Sequence, residues 1–235
     1  MGVKIKRLGS YEPPAPKCSK CNDVGFFFRK DEQGNLYSRE CECQVRKRNI
    51  ERLKRSGLVD LVRRYNFKNY KTPDKWYENT KASAKKFIND PAAPWFYIAG
   101  HPGSGKTHLC TAICGQLIAR SKEVRYMVWR EAATTLKAMV MDSEEYKEEL
   151  DKYLRPTILY IDDFFKGSVT QADINLAFTI LNHRYNNGRK QTIISSERPL
   201  FEIQEMDAAI AGRIFERANR GEYIFKTPDR DWRTA

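Results

Sequence analysis

The stretch from Gly100 to Thr107 has the residue types and spacing of a loop that binds phosphate. Gly100 is followed by four residues and then by Gly105, Lys106 and Thr107, a spacing in which glycines let backbone N–H groups turn toward an anion. Lys106 is predicted to reach the β- and γ-phosphates of a nucleoside triphosphate, and the Thr107 hydroxyl to hold Mg²⁺. The two histidines that flank the motif have no partner pattern, and their side chains are interpreted as structural. The residues predicted to surround the nucleotide are Gly100, His101, Pro102, Gly103, Ser104, Gly105, Lys106, Thr107 and His108.

Two adjacent acids, Asp162 and Asp163, follow the apolar run ILYI. A buried strand that ends in this way presents its carboxylates at the edge of a parallel sheet where ligands bind. We interpret Asp162 as a Mg²⁺ ligand through water, and Asp163 as the group that orients or deprotonates the attacking water. The alternative is a pair of acids that only caps the junction between strand and loop.

A second polar strand end follows the apolar run QTII, where Ser195, Ser196 and Glu197 stand in sequence. A side chain at this place could reach the γ-phosphate or the attacking water, and Ser196 is the candidate for this sensing role. Ordinary loop capping is the alternative.

Paired arginines occur farther along, at Arg213 and Arg217 in AIAGRIFER. Their spacing of four places both on one face of a helix. They could form no more than surface ion pairs. If protomers stack, one of them could instead reach the γ-phosphate of the neighbour as an arginine finger.

Four cysteines near the N-terminus have the spacing of metal ligands: Cys18 and Cys21, a 19-residue insert, then Cys41 and Cys43. The insert reads as a short β-hairpin with a Gly-Asn turn. Four thiolates at the ends of one hairpin suit tetrahedral Zn²⁺, because so small a fold has too little core to stand alone. The alternative is four unrelated reduced cysteines. The two remaining cysteines, on the helix after the phosphate loop, are interpreted as core residues.

Strands and helices alternate along the rest of the chain, which predicts an α/β fold with a mostly parallel five-stranded sheet covered by helices on both faces. The predicted strands are 95–99, 124–129, 157–161, 191–195 and 222–226. The predicted helices are 80–89, 106–120, 131–153, 170–187 and 201–219. The predicted organisation is a flexible lead (1–16), a zinc-binding hairpin (17–44), a basic linker helix (45–65) and an ATPase domain (66–235).

The charge balance favours a polyanionic partner. The formal net charge is +12, which suggests nucleic acid, although basic proteins can also simply stay soluble this way. Residues 44–71 carry ten Lys and Arg against two acids, and they are predicted to form a helix broken near Gly57 that contacts nucleic acid or a partner protein, or is a solvated linker. No apolar run approaches the roughly 20 residues that cross a bilayer, and no signal peptide is recognisable, so a cytoplasmic protein with no membrane partner is expected.

Taken in order, the motifs GHPGSGKTHL, ILYIDDF, IISSERP, AGRIFER and DRDWR resemble the AAA+ ATPases of the replicative helicase-loader group, the DnaC/DnaI type with its phage relatives. The similarity covers about residues 60–235, and the cysteine segment resembles the zinc-bearing element of the DnaI-like branch. The resemblance implies that Lys106 and Thr107 belong to Walker A, that Asp162 and Asp163 belong to Walker B, and that Arg213 and Arg217 lie in the arginine-finger region. By the same resemblance Arg233 is the sensor-2 arginine, and the nucleotide is ATP.

The sequence departs at three places from the pattern of most AAA+ proteins. The second Walker B acid is Asp where most of the superfamily has Glu. The sensor-1 position, usually Asn, reads Ser195-Ser196-Glu197. The chain ends at Ala235 without room for a C-terminal helical lid, which is typical of the loader group. Adenine would then be held by the segment before the loop, where Phe67 and Tyr70 are candidates, with core packing as the alternative for both.

The resemblance implies an ATP-hydrolysing loader that binds a hexameric replicative DNA helicase and single-stranded DNA and self-associates through its ATP site. An IstB-type transposase partner that marks target DNA is the alternative within the same fold. A metabolic P-loop kinase is a further alternative, but no segment between the strands has the pattern of a mobile lid. A non-catalytic zinc and nucleic-acid adaptor is disfavoured by the intact Lys106, Thr107 and Asp162.

Overall fold

The computed structural model describes residues 17–56, 58–90, 94–188, 190–232 and 234. The predicted flexible lead, Gly57 and Arg233 lie outside these ranges. The chain divides into two compact units, Met1–Val45 and Arg46–Ala235. Within the described ranges, none of the helices combines the length and apolar content that crossing a membrane requires.

The first unit contains an antiparallel hairpin of β1 (Phe26–Lys30) and β2 (Leu36–Glu40). The Asp31 carboxylate organises the turn, because it accepts hydrogen bonds from the backbone N–H groups of Gln33 and Asn35 at 3.0 and 2.8 Å. An Asp that bonds to backbone a few residues ahead is a common way to fix a short turn. A hairpin therefore forms in the segment where the sequence predicts one.

A parallel sheet forms the centre of the second unit. Its strands in the described residues are β3 (Trp95–Ala99), β4 (Val124–Val128), β5 (Ile158–Phe164), β6 (Gln191–Ser196) and β7 (Ile224–Lys226). The order across the sheet is β4-β5-β6-β3-β7, and each neighbouring pair is parallel. Continuous apolar runs become strands here because both faces of a parallel sheet are covered. The predicted α/β architecture is confirmed.

Nine helices accompany these strands in the described part of the chain. They are α1 (Glu42–Ser56), α2 (Leu58–Arg64), α3 (Lys75–Asn89), α4 (Lys106–Ala119), α5 (Trp129–Ala138), α6 (Ser143–Leu154), α7 (Gln171–Asn186), α8 (Leu200–Met206) and α9 (Ala208–Arg217).

Two of the predicted helices, 131–153 and 201–219, were wrong, because each is divided in two by an aspartate. The Asp142 carboxylate accepts hydrogen bonds from the N–H groups of Glu144 and Glu145 and starts α6. The Asp207 carboxylate accepts one from Ile210 and starts α9. An aspartate at the N-cap satisfies N–H groups that the first helical turn leaves unpaired. Both residues therefore begin a new helix where apolar periodicity alone suggested a continuous one.

Alternate residues of the strands face two different apolar cores. Phe96 packs in the core that also contains Phe87 of α3 and Ile113 of α4. Its neighbour Tyr97 packs in the core that contains Ile180 of α7. This alternation follows from the two-residue repeat of a strand. The two cores hold the strands in place, and with them the polar strand ends at one edge of the sheet.

Arg184 of α7 is a fully buried arginine that joins the helix to the sheet. Its guanidinium donates hydrogen bonds to the Thr192 hydroxyl at 2.9 Å and to the carbonyl oxygens of Pro156 and Gln191 at 2.9 and 2.6 Å. Burial lowers the pKa of Arg184 to about 9. The side chain satisfies carbonyls at the start of two strands that would otherwise be buried without partners.

We expect Arg184→Met to lower the free energy of unfolding by about 3 kcal/mol or more, because it leaves several buried carbonyls unpaired. Urea denaturation followed by circular dichroism measures this loss. Arg155→Met is the matched control, since Arg155 forms a surface ion pair with Asp151 and such pairs contribute at most about 1 kcal/mol. Equal stability of both variants would contradict this role of Arg184.

Candidate functional site

The loop from Gly100 to Gly105 connects β3 to α4 and closes around the Lys106 ammonium group. Gly103 and Gly105 have φ values of +77° and +92°, which L side chains rarely adopt. The Lys106 Nζ donates hydrogen bonds to the carbonyl oxygens of Gly100 and His101, both at 2.8 Å. Burial lowers the pKa of Lys106, and the carboxylates of the site oppose this lowering. The ammonium is thus held inside the loop, at the start of α4.

The Asp162 carboxylate joins this loop to the edge of the sheet. The Thr107 hydroxyl donates to Asp162 Oδ1 at 3.2 Å, and the Tyr126 hydroxyl donates to Oδ2 at 2.9 Å. The Ser195 hydroxyl also donates to Oδ1. The phosphate loop and the acidic end of β5 therefore form one site. Sequence reasoning missed Tyr126, because only the pairing of β4 with β5 brings it to Asp162.

The site places Ser195 and Ser196 differently. Ser196 donates to the carbonyl oxygen of Phe164 at 2.7 Å and accepts a hydrogen bond from the Arg198 N–H at 3.0 Å. Its hydroxyl is occupied by backbone, whereas that of Ser195 contacts Asp162. Neighbouring strand residues point to opposite faces, so only one of the two serines can face the acid. The structure therefore brings Ser195, and not Ser196, to the acidic centre.

Asp163 takes part in an ion-paired cluster at the same edge. Its backbone has φ of +54°, and its carboxylate lies 2.9 Å from Lys166 Nζ. Lys166 also lies 3.2 Å from Glu197 Oε1. The hydrogen bond to Asp163 is the main cause that raises the pKa of Lys166. Lys166 thus holds two carboxylates together. A lysine three residues after an acid is a weak sequence signal for this bridge.

A cavity of about 500 Å³ opens beside the loop. Aromatic residues line it together with Lys106 and Thr107: these are Tyr65, Tyr70, His108 and Trp232. His108 Nε2 lies 3.1 Å from the carbonyl oxygen of Asn66, so this histidine is fixed to the segment before the loop. Phe67 is not among the lining residues and packs in the core, with Lys85 Nζ 5.9 Å from its ring centroid. Of the two aromatic candidates, Tyr70 therefore faces the cavity.

The two candidate finger arginines lie on the face of α9 that contacts α7. The Arg213 guanidinium is 4.5 Å from the ring centroid of Phe178, and its Nε donates to Asn182 at 3.1 Å. The Arg217 guanidinium is 4.7 Å from the ring centroid of Tyr185. Neither arginine is among the residues that line the cavity of its own chain.

The four N-terminal cysteines come together in the first unit. Their Sγ atoms all lie within 4.8 Å of one another. Cys18 and Cys41 are 3.7 Å apart, and Cys21 and Cys43 are 3.5 Å apart. Tetrahedral zinc with Zn–S bonds of about 2.3 Å separates its sulfur ligands by about 3.8 Å. The cluster therefore fits a metal ion of this type.

A parallel sheet with a phosphate loop after β3 and an acid at the end of β5 defines a nucleotide-binding α/β domain of the P-loop class. Residues 31–227 match the family of IstB-like ATP binding proteins, and the chain belongs to this family. The predicted resemblance to AAA+ ATPases of the DnaC and DnaI group is confirmed.

Two curated proteins and one solved structure are similar to this chain. The uncharacterized protein YqaM of Bacillus subtilis (strain 168) is 32% identical over 202 residues, which cover 80% of this chain and 63% of YqaM, or less than two thirds of its length. The replicative helicase loader DnaC of Escherichia coli (strain K12) is 24% identical over 198 residues, covering 83% of this chain and 79% of DnaC. A crystal structure of DnaI has a TM-score of 0.57 at 20% identity, covering 73% of this chain and 92% of that chain, and so shares the fold.

We expect Tyr126→Phe to weaken Mg²⁺-dependent nucleotide binding about tenfold, because Asp162 loses the hydroxyl that orients one of its oxygens and such supporting bonds commonly carry 10- to 100-fold in metal affinity. Titration of a fluorescent ATP analogue at varied Mg²⁺ measures the change. Tyr223→Phe is the control, since that buried tyrosine donates to Asp90 instead. Unchanged Mg²⁺ dependence in Tyr126→Phe would contradict the role given to this hydroxyl.

Proposed function

We propose that this protein is an ATPase that loads a hexameric replicative DNA helicase onto single-stranded DNA during replication initiation. The observation that carries the ATPase function is the hydrogen bond from Thr107 to Asp162, which joins the phosphate loop to the acidic strand end beside a cavity of about 500 Å³. The loader function is supported by membership of the family and by the similarity to the loader DnaC.

The residues of the loop and of the strand end have separate roles in this proposal. Backbone N–H groups of the loop bind the phosphates, and Lys106 exchanges the carbonyls of Gly100 and His101 for phosphate oxygens. Thr107 and Asp162 would hold Mg²⁺, which would supply positive charge to offset that of the phosphates. Water adds to the γ-phosphorus while ADP leaves.

Asp163 orients this water and accepts its proton. In the structure the Lys166 ammonium pairs with one oxygen of this carboxylate, and that oxygen is then not available to the water. The pair has to loosen before Asp163 can act as a base. Slow turnover in the isolated chain follows, with faster turnover once a partner or DNA rearranges this cluster.

Self-association completes the site in our proposal. Arg213 and Arg217 stack on α7 and do not line the cavity of their own chain, which suits a guanidinium that serves the neighbouring protomer. An arginine supplied in trans adds about 10³- to 10⁵-fold to the hydrolysis rate. Either arginine fits this role.

A second cavity, of about 320 Å³, supports the proposal of single-stranded DNA as a partner. It is lined by Trp129, Arg130, Lys137, Lys166 and Ser168, among others. The Trp129 ring is buried, so the cations are the groups that would bind a single strand, through its phosphates. Because Lys166 also holds Asp163, a phosphate bound in this cavity would compete for the cation that restrains the catalytic acid.

The N-terminal unit is proposed to bind the helicase. Phe26, Phe28 and Leu36 share one face of the hairpin and are 50%, 69% and 66% exposed, and such apolar surface on a soluble unit commonly binds a protein. We propose that Zn²⁺ on the four cysteines holds this unit together. Residues 17–44 would then form the zinc-binding unit, 45–65 the basic linker and 66–235 the ATPase domain.

The partner decides between a loader and an IstB-type transposase partner. The experiment is affinity purification of the full chain and of Lys106→Ala from host cells with ATP, followed by identification of the retained proteins. We expect a replicative helicase with the wild type, and altered retention with Lys106→Ala because nucleotide binding is lost. Retention of a transposase would support the alternative and contradict helicase loading.

Asp163→Asn is expected to lower kcat for ATP hydrolysis by about 10²- to 10⁴-fold with little change in ATP affinity, because the amide cannot accept the proton from water. Phosphate release with and without single-stranded DNA measures kcat. Asp151→Asn, which removes the acid that pairs with surface Arg155, should behave as the wild type. Full activity of Asp163→Asn would remove this residue from the mechanism.

Purified full chain is expected to contain one zinc ion, and Cys21→Ser to contain none, because the buried Cys21 is one of the four clustered thiols. Elemental analysis measures the metal. Cys110→Ser is the control, since Cys110 is buried in the sheet core and should leave the zinc content unchanged. Zinc retained at full stoichiometry by Cys21→Ser would contradict the proposed site.

A further inference from the structure

The segment of residues 227–232, which follows β7, lies along the phosphate loop. The Thr227 N–H donates to the carbonyl oxygen of Ala99 at 2.8 Å, and the Trp232 N–H donates to that of Gly103 at 3.1 Å. These two backbone hydrogen bonds anchor both ends of the segment, one to the residue before the loop and one to the middle of the loop. The position of Trp232 is therefore set by the loop itself.

The segment approaches the loop so closely that two loop positions have no room for a side chain. A Cβ atom on Gly100 would lie 1.8 Å from the Thr227 hydroxyl oxygen, and one on Gly103 would lie 1.9 Å from a carboxylate oxygen of Asp231. Real Cβ atoms essentially never come so close to another heavy atom. These glycines are thus required by contact with the segment as well as by the course of the loop. The contact is built into the fold.

The Trp232 indole forms one wall of the 500 Å³ cavity. A Cβ on Gly105 would lie 3.6 Å from the indole and 3.7 Å from the Tyr70 ring, so the two rings flank the end of the loop. Tyr77 supports the indole from behind, with ring centroids 5.5 Å apart at 72°. The ring is thereby held in place at the wall of the cavity.

We infer that Trp232 is a base-contacting residue of the nucleotide site, on which a purine base stacks. This inference rests on the proposed ATPase function. Phosphates gain nothing from an indole face, whereas a base gains stacking energy from it. The aromatic wall favours purines over pyrimidines, because the larger ring system covers more of the indole.

The test compares nucleotides with inorganic triphosphate, which has no base. Affinities of the full chain, Trp232→Ala and Trp232→Phe for ATP, CTP and inorganic triphosphate are measured by competition with a fluorescent ATP analogue. We expect Trp232→Ala to bind ATP at least tenfold more weakly, to bind triphosphate within twofold of the wild type, and to lose the preference for ATP over CTP. Trp232→Phe keeps ATP affinity within about threefold.

Trp76→Ala is the matched control. Trp76 also meets Tyr77 edge-on, with centroids 4.9 Å apart, but it is not among the residues that line the cavity. It should leave all three affinities unchanged. Thermal unfolding of each variant establishes that it is folded. If Trp232→Ala does not fold, Trp232→Leu is used in its place, and its ratio of ATP affinity to triphosphate affinity is measured.

Two outcomes would overturn the inference while leaving the ATPase proposal intact. Equal weakening of ATP and triphosphate would mean that Trp232 only shapes the phosphate loop. Wild-type ATP affinity in folded Trp232→Ala would mean that the base does not use this wall. Failure of the wild type itself to bind or hydrolyse ATP would instead remove the proposed function.

Discussion

The buried carboxylate of Asp162 holds the nucleotide site together. Its oxygens accept hydrogen bonds from Thr107 on α4, Tyr126 on β4 and Ser195 on β6. A buried carboxylate left without donors is costly, so each of these three contacts is retained when the chain folds. Three separate elements are thereby fixed around the end of β5, and one of them is α4, the helix at which the phosphate loop ends.

The sheet makes this arrangement possible because all its neighbouring strands are parallel. Their carboxyl ends meet at one edge, where loops rather than regular pairing supply the functional groups. Arg184 and the two apolar cores keep the opposite side rigid. Polar residues at the functional edge make contacts that a ligand can replace. Lys106 binds loop carbonyls, and Lys166 binds Asp163 and Glu197. Binding of ATP would replace contacts of this kind.

Local patterns in the sequence predicted the parts of the structure that local physics determines. The strands are continuous apolar runs such as WFYIA, whose residues are all buried, and the spacing from Gly100 to Lys106 predicts the loop from backbone geometry alone. The four cysteines converge because a hairpin brings its own ends together.

Contacts between distant segments could not be predicted in the same way. The choice of Ser195 over Ser196 depends on which face of β6 meets β5, and that is set by strand pairing. Tyr126 reaches the site from β4, and Trp232 reaches it from the segment after β7. No spacing in the sequence connects either residue with the loop. The breaks at Asp142 and Asp207 had a local signal, an aspartate at an N-cap, but apolar periodicity continued across both and concealed it.

Isothermal titration calorimetry of ATP into the full chain, with Mg²⁺ and with chelator, tests the central claim most directly. If the loop and Asp162 form one pocket for magnesium and nucleotide, as the contact between Thr107 and Asp162 indicates, one equivalent of ATP binds per chain and the affinity falls at least tenfold without Mg²⁺. No heat of binding, or an ATP affinity that is the same with and without Mg²⁺, would contradict the account.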